Sequence, residues 1–205
     1  MKVYFVRHGE SIHNAARVHS AFDTPLSEVG RIQALTIANW LKDIDIDVII
    51  SSDFVRAKET AEIISKVIKK KVELTKLARE RQTPSIIHGK PIGDPEIKKL
   101  NEEILKKIND PNYRHSDDEN FFDTKKRAQE LLNYLIKRRE ENIVVVLHGT
   151  ILRYIVATMV YGPDLDWDTL TGFFNFKLNN TGITLCERSD DEWKLVTWND
   201  HAHLD

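Results

Sequence analysis

Near the N-terminus an apolar run, Val3-Tyr4-Phe5-Val6, ends abruptly in Arg7-His8-Gly9. A strand that delivers a guanidinium and an imidazole to the edge of a sheet offers a nucleophile beside a permanent positive charge. The glycine is read as the residue that lets the backbone turn tightly next to them. Parallel sheets bind ligands beyond the carboxyl ends of their strands, so the residues just past each apolar run belong to the same question. Val48-Ile49-Ile50 is followed by Arg56, the run at 71–77 by Arg79 and Glu80, and Ile143 to Leu147 by His148 and Gly149. Taken singly these are ordinary: a lone histidine at a strand end is more often structural, and Arg56 alone is a surface charge. Taken together they suit phosphoryl transfer without a metal ion. Guanidinium forks match phosphate oxygens and stay charged, a neutral imidazole attacks phosphorus, and a carboxylate handles the proton of the leaving oxygen. A helix opening at Asp53 would add its N-terminal N–H groups.

These residues need a scaffold, and the pattern supplies one. Segment 12–24 reads as a polar loop. Ser27 is an N-cap for a helix whose buried face is marked by Val29, Ile32, Leu35, Ala38 and Leu41. A second helix carries Ala57, Ala61, Ile64 and Ile68 on one face, and segment 71–77 is a third strand. From 78 to about 122 the periodicity is broken by Pro84, Gly89, Pro91, Gly93 and Pro95. Only Asp94-Pro95 stands out there, as the cap and first residue of a helix to about Asn109. This stretch is too long for a simple connection and is read as an inserted, substrate-side lid, about 81–122. Ala128, Leu131, Leu132, Leu135 and Ile136 mark the next helix. The β-branched run Ile143 to Leu147 is a strand buried on both faces, and segment 151–161 is a buried helix. Two late strands, 182–187 and 193–198, meet at a Ser189-Asp190-Asp191 turn. Strands alternating with helices predict an α/β fold with a mostly parallel sheet, in one domain over 1–205.

Composition narrows the function classes. The 205 residues are 41% hydrophobic and 30% charged with a formal net charge of −2, ordinary for a globular chain and poor for a general nucleic-acid binder. The single cysteine, Cys186, leaves no intramolecular disulfide and reads as a small apolar strand residue. No apolar run approaches a membrane span and no basic-then-apolar leader opens the chain, so a cytoplasmic location without membrane partner is expected. Oligomeric state is not legible. His201 and His203 alternate, but no carboxylate–histidine spacing resembles a metal site, so neither metal nor cofactor is expected.

Several segments in order resemble one family. Arg7-His8-Gly9-Glu10-Ser11 with Asn14, Asp23-Thr24-Pro25-Leu26-Ser27 before Gly30, Ser51-Ser52-Asp53-Phe54-Val55-Arg56-Ala57 with Thr60-Ala61, the later His148-Gly149, and Asn199-Asp200-His201-Ala202-His203-Leu204 are similar to the histidine phosphatase superfamily. The resemblance covers nearly the whole chain outside 81–122. It implies the three-layer, phosphoglycerate mutase-like fold. It also implies His8 as the phosphorylated nucleophile, Arg7, Arg56 and His148 as the phosphoryl grip, and Glu80 as the proton donor. Asn14 would be a further donor, with Ser20 at the entrance and Gly149 contributing a backbone N–H. The chain departs from the pattern at His19 and Ala21, and at Arg81-Gln82-Thr83-Pro84-Ser85, where many phosphatases carry a glycine-tryptophan-glutamate-glycine type of sequence. The tyrosine-glycine segment and paired arginines of the mutases are also missing.

The expected activity is hydrolysis of small phosphomonoesters through a phosphohistidine, with a small phosphorylated metabolite as partner. The alternative is a mutase that returns the phosphoryl group to another hydroxyl. A non-catalytic phosphoester-binding module is a third reading, disfavoured because binding alone needs neither His8 nor Glu80.

Overall fold

The computed structural model describes residues 1–204. Its centre is a six-stranded sheet: β1 (Lys2–Arg7), β2 (Val48–Ser52), β3 (Val72–Thr75), β4 (Asn142–Leu147), β5 (Ile183–Ser189) and β6 (Glu192–Asp200). The order is β3-β2-β4-β1-β5-β6. The first four strands of that order run parallel, and the β5–β6 hairpin adds antiparallel. The turn residues Asp190 and Asp191 both take positive φ, 52° and 65°, as a tight hairpin of matching twist requires.

Alternation along the central strands sorts two cores. Val3 and Phe5 of β1, with Ile143, Val145 and Leu147 of β4, face α5 (Phe121–Ile136) and α6 (Gly149–Tyr161). Tyr4 and Val6, with Val144 and Val146, face α2 (Glu28–Leu41) and α3 (Val55–Ile68). Helices on both faces make three layers, and Ile143 to Leu147 are wholly buried, as the unbroken apolar run predicts. Cys186 is buried in β5, and burial pushes its thiol up to about 12. No helix among the described residues is long and apolar enough to cross a membrane.

Three local expectations need correction. The buried residues of α2 are Gly30, Ala34, Ile37, Ala38 and Leu41, while Val29, Ile32 and Leu35 are exposed. A strict three-residue step falls about 60° short of a full turn each time, so Val29 and Leu41 lie about 120° apart on the helix. Segment 12–24 is not all loop: Ser11 caps a short α1 (Ile12–Ala15) through a reciprocal box with Asn14. And α3 starts at Val55, not Asp53, with Phe54 at its cap position.

The long excursion after β3 is closed at its neck. Gln82 N–H donates to the Glu119 carboxylate and Glu119 N–H to the Gln82 carbonyl, both at 2.9 Å. It carries α4 (Pro95–Lys106), capped by Asp94 with proline at its first position. Its tip joins segment 17–19: His19 N–H donates to the Lys90 carbonyl, Gly89 N–H to the His19 carbonyl, and Ile92 N–H to the Arg17 carbonyl. Beyond it, α7 (Trp167–Phe173) packs against α6.

Candidate active site

Register brings the two strand-end histidines together. Arg7 of β1 pairs with Leu147 of β4, so His8 and His148 leave the sheet side by side, with ring centroids 5.0 Å apart. Because β2 also runs parallel to β4, Ser52 and the start of α3 open onto the same edge. The antiparallel β5 brings its beginning, not its end, to this place.

His8 is almost wholly buried. Its Nδ1 lies 2.7 Å from the Gly9 carbonyl oxygen, which can only accept, so Nδ1 carries the proton. The Nε2 lone pair faces the Arg56 guanidinium and accepts from Arg56 Nε at 3.2 Å. Burial above all, then the charges of Arg56 and Arg7, hold the His8 pKa well below the ordinary histidine range. The ring is therefore neutral with its lone pair outward, the form a nucleophile needs.

His148 is fixed by similar logic. Ser52 Oγ accepts from Phe54 N–H at 3.2 Å and hydrogen-bonds His148 Nε2 at 2.9 Å. Its Nδ1 is buried and without a partner among the described residues. Burial first, then Arg56 and His8, lowers this pKa well below the ordinary range as well.

The guanidiniums are anchored through backbone. Arg7 Nη1 donates to the Leu178 carbonyl at 2.7 Å, and its buried Nε has no partner. Arg56 Nη1 donates to the Ala21 carbonyl at 2.8 Å; burial brings its pKa down to about 10, so it stays charged at neutral pH. Glu80 sits over the start of α6. Its Oε1 accepts from Ile151 N–H and Arg81 N–H, each at 2.9 Å, and its Oε2 from Thr150 N–H at 3.0 Å. Backbone donors at a helix N-terminus thus fix the carboxylate.

These residues border a cleft of about 850 Å³ that Arg7, His8, Asn14, Ser20, Arg56, Glu80 and Gly149 all line. Seven of the eight residues singled out from the sequence therefore meet at one surface. His148 does not line it but packs against two residues that do, His8 and Phe54, with ring centroids 5.0 and 5.3 Å away. Arg79 lines the cleft too, but forms a two-pronged ion pair with Asp53 at 2.6 and 2.5 Å, so the Asp53 carboxylate is not a helix cap. The glycine beside His8 has a different purpose from the one expected. A Cβ on Gly9 would lie 2.4 Å from the Gly30 carbonyl oxygen, and one on Gly30 would lie 1.9 Å from the Glu10 carbonyl oxygen. The pair is required by close backbone approach between α2 and the loop.

Four residues without an assigned role complete the site. Thr60 Oγ1 accepts from Gly9 N–H at 3.1 Å and donates to the Arg56 carbonyl at 2.7 Å, joining the loop after β1 to α3. Asn180 donates to the His8 carbonyl at 3.0 Å. Ser52 orients His148, and the Phe54 ring lies 5.3 Å from the Arg56 guanidinium carbon and 5.4 Å from that of Arg79. Strand-end reasoning applied to β2 as strictly as to β1 singles out Ser52; Asn180 escapes it because β5 is antiparallel. Among the described residues no group of three or more His, Cys, Asp or Glu side chains is placed to hold a metal ion.

A three-layer α/β domain with paired histidines and buried arginines past its parallel strands defines a phosphoglycerate mutase-like architecture. A model of the histidine phosphatase superfamily (branch 1) matches residues 3–201, and the chain belongs to that superfamily. It is 29% identical over 210 residues to a metal-independent phosphoserine phosphatase of Arabidopsis thaliana, covering 99% of this chain and 83% of the relative. It is 27% identical over 220 residues to a probable phosphoglycerate mutase GpmB of Erwinia tasmaniensis, covering 100% and 95%. A solved structure of a phosphoserine phosphatase mutant from Entamoeba histolytica, in complex with phosphoserine, superposes with a TM-score of 0.77 at 26% identity, covering 99% and 98%. The family is of phosphatase type, with relatives named for phosphatase and for mutase activity.

Proposed function

We propose that the chain hydrolyses small phosphomonoesters through a phosphohistidine on His8, without a metal ion. The observation that carries the reading is the His8 ring: Nδ1–H held by the Gly9 carbonyl, and the Nε2 lone pair turned toward Arg56 in a cation-lined cleft. An entering phosphoryl group takes Arg56 Nε and Arg7 Nε as donors, while His148, which does not line the cleft, stands behind His8 rather than in the grip. Asn14, Ser20 and the Gly149 N–H border the same group. Arg56 then releases the Nε2 lone pair, which attacks phosphorus as the ester P–O bond breaks. Glu80 in its protonated form gives its proton to the leaving oxygen. A water molecule next attacks the phosphohistidine, Glu80 takes the water's proton, and orthophosphate leaves with His8 restored. Fixed guanidiniums supply the positive charge that the transferring group needs.

Turnover of p-nitrophenyl phosphate, in EDTA, should be lost in His8→Ala, and an alkaline detergent quench during turnover should trap an alkali-stable, acid-labile phosphate on His8. Absence of His8-dependent phosphate release from any member of a phosphomonoester panel would refute the reading. The full-length similarity to a probable phosphoglycerate mutase favours one second reading, transfer to a different hydroxyl. Interconversion of 3-phosphoglycerate and 2-phosphoglycerate without phosphate release would select it.

A further inference from the structure

Two consecutive peptide groups beside His8 are held at both ends. In the first, the His8 carbonyl accepts from Asn180 Nδ2 at 3.0 Å, and the Gly9 N–H donates to Thr60 Oγ1 at 3.1 Å. In the second, the Gly9 carbonyl accepts from His8 Nδ1 at 2.7 Å, and the Glu10 N–H donates to Gln33 Oε1 at 2.9 Å. The Gly9 carbonyl and the Glu10 N–H belong to one trans peptide group, so they point in opposite directions and the two bonds stand in series. Gln33 is thereby joined to the nucleophile ring through a single amide, without lining the cleft.

Helix α2 carries Gln33 to this place. The Gly30 backbone rests on the Glu10 main chain, and Gln33 follows three residues later on the same side of the helix. Ser27 clamps Glu10 from the helix cap: its N–H donates to the Glu10 carbonyl at 2.8 Å and its hydroxyl to the Glu10 carboxylate at 2.7 Å. Those contacts hold Glu10 itself. Among the described residues only Gln33 bonds the N–H of the peptide group whose oxygen receives the His8 proton. An amide whose N–H is already donating is a stronger acceptor at its oxygen, by about 10–30% per bond in such chains.

That strengthening matters when charge moves. As His8 Nε2 bonds to phosphorus and the ester oxygen leaves with the Glu80 proton, Nδ1 keeps its hydrogen and the ring takes on a formal positive charge. Its acceptor is a neutral carbonyl, in the place where a carboxylate steadies the histidine of a hydrolase triad. Polarising that carbonyl therefore counts for more in the transition state than in the resting enzyme. Resting on the phosphatase reading, we infer that Gln33 is a positioning residue for phosphoryl transfer: through the Gly9–Glu10 peptide it orients the His8 ring and strengthens the acceptor that stabilises the charged ring of the phosphohistidine.

The test reads the ring and the reaction separately. Gln33→Met keeps the length and removes the oxygen, Gln33→Asn draws the amide back by one methylene, and Gln33→Glu keeps an oxygen in place. In proton NMR the His8 Nδ1–H resonance, assigned by its absence from His8→Ala, and the Glu10 amide resonance should both move upfield in Gln33→Met and Gln33→Asn. Both should stay near their wild-type positions in Gln33→Glu. In single-turnover stopped flow, release of p-nitrophenolate from p-nitrophenyl phosphate should slow about fivefold to tenfold in the first two variants and recover to within about threefold in the third. Inhibition by orthophosphate should change less than about twofold, because the arginine donors are untouched. A His8 Nδ1–H resonance unmoved in both Gln33→Met and Gln33→Asn overturns the inference. So does slowing that Gln33→Glu does not relieve, or slowing matched by an equal loss of orthophosphate affinity. Failure of the phosphatase reading shows separately, as p-nitrophenyl phosphate turnover that is absent or indifferent to His8→Ala, and the resonance shifts then decide the link from Gln33 to the ring.

Discussion

Acidification should destabilise the protein by an amount that His8 and His148 set. Both rings are almost wholly buried, and both have pKa values held well below the ordinary range, first by burial and then by adjacent charge. The unfolded chain binds a proton on each ring near pH 6.5, and the native state does so only at much lower pH. Stability from these groups is therefore complete above the unfolded value and lost as pH falls below it. Between pH 7.5 and 5.5 each ring contributes a loss of about 1.4 kcal/mol, or about 2.7 kcal/mol for the pair. Other groups titrate in the same interval, so the decisive quantity is a difference between proteins. Urea unfolding of wild type and His8→Asn at both pH values should show wild type losing about 1.4 kcal/mol more, a relative midpoint shift of about 0.5–1 M. Equal losses in the two proteins would mean that His8 takes up its proton in the native state as readily as in water. The neutral, lone-pair-out nucleophile would then be wrong.

Three further outcomes follow from individual contacts. Ser52→Ala removes the hydroxyl that holds the His148 ring beside His8; kcat/KM should fall about tenfold, as for one lost buried hydrogen bond, with partial rescue in Ser52→Thr, and an unchanged value would deny Ser52 its orienting role. Thr60→Val keeps the shape but strands the buried Gly9 N–H, which should cost about 1–3 kcal/mol and lower Tm by several degrees in a calorimetric scan; an unaltered Tm would contradict it. Glu80→Gln should slow alkyl phosphate hydrolysis by about 10²–10⁴-fold and p-nitrophenyl phosphate far less, because p-nitrophenolate leaves without a proton; equal losses on both substrates would remove Glu80 from proton transfer.

Much of the fold is legible where burial is complete. Ile143 to Leu147 can only be a central strand, and Asp94-Pro95 announces α4 through capping chemistry alone. The helix at 28–41 shows why partial patterns mislead. Its apolar residues occur on both sides, and the three-residue repeat of Val29, Ile32 and Leu35 winds away from the core that Ala34, Ile37 and Ala38 occupy. At the site, residues just past parallel strands are legible because topology alone brings them together. Thr60 and Asn180 are not, since a hydroxyl on a helix and an amide before an antiparallel strand have no address until register places them. The far rim of the cleft is harder still: it joins segments about 70 residues apart through a few backbone hydrogen bonds, and such pairing leaves no periodic trace.

The contact between Gly9 and Gly30 divides the cleft into two mechanical regimes. At the phosphoryl end, main chain rests on main chain with no side chain between, so no substitution can retune the spacing and none is tolerated. At the opposite end, the 17–19 and 89–92 segments are joined through backbone bonds, which side chains away from Gly89 (φ 76°) do not disturb. Residues there can be exchanged without moving the nucleophile. The fold thus fixes the backbone beside the nucleophile and leaves the far rim of the cleft open to exchange, which makes the stretch from Arg81 to Ile92 the place to vary side chains without moving His8.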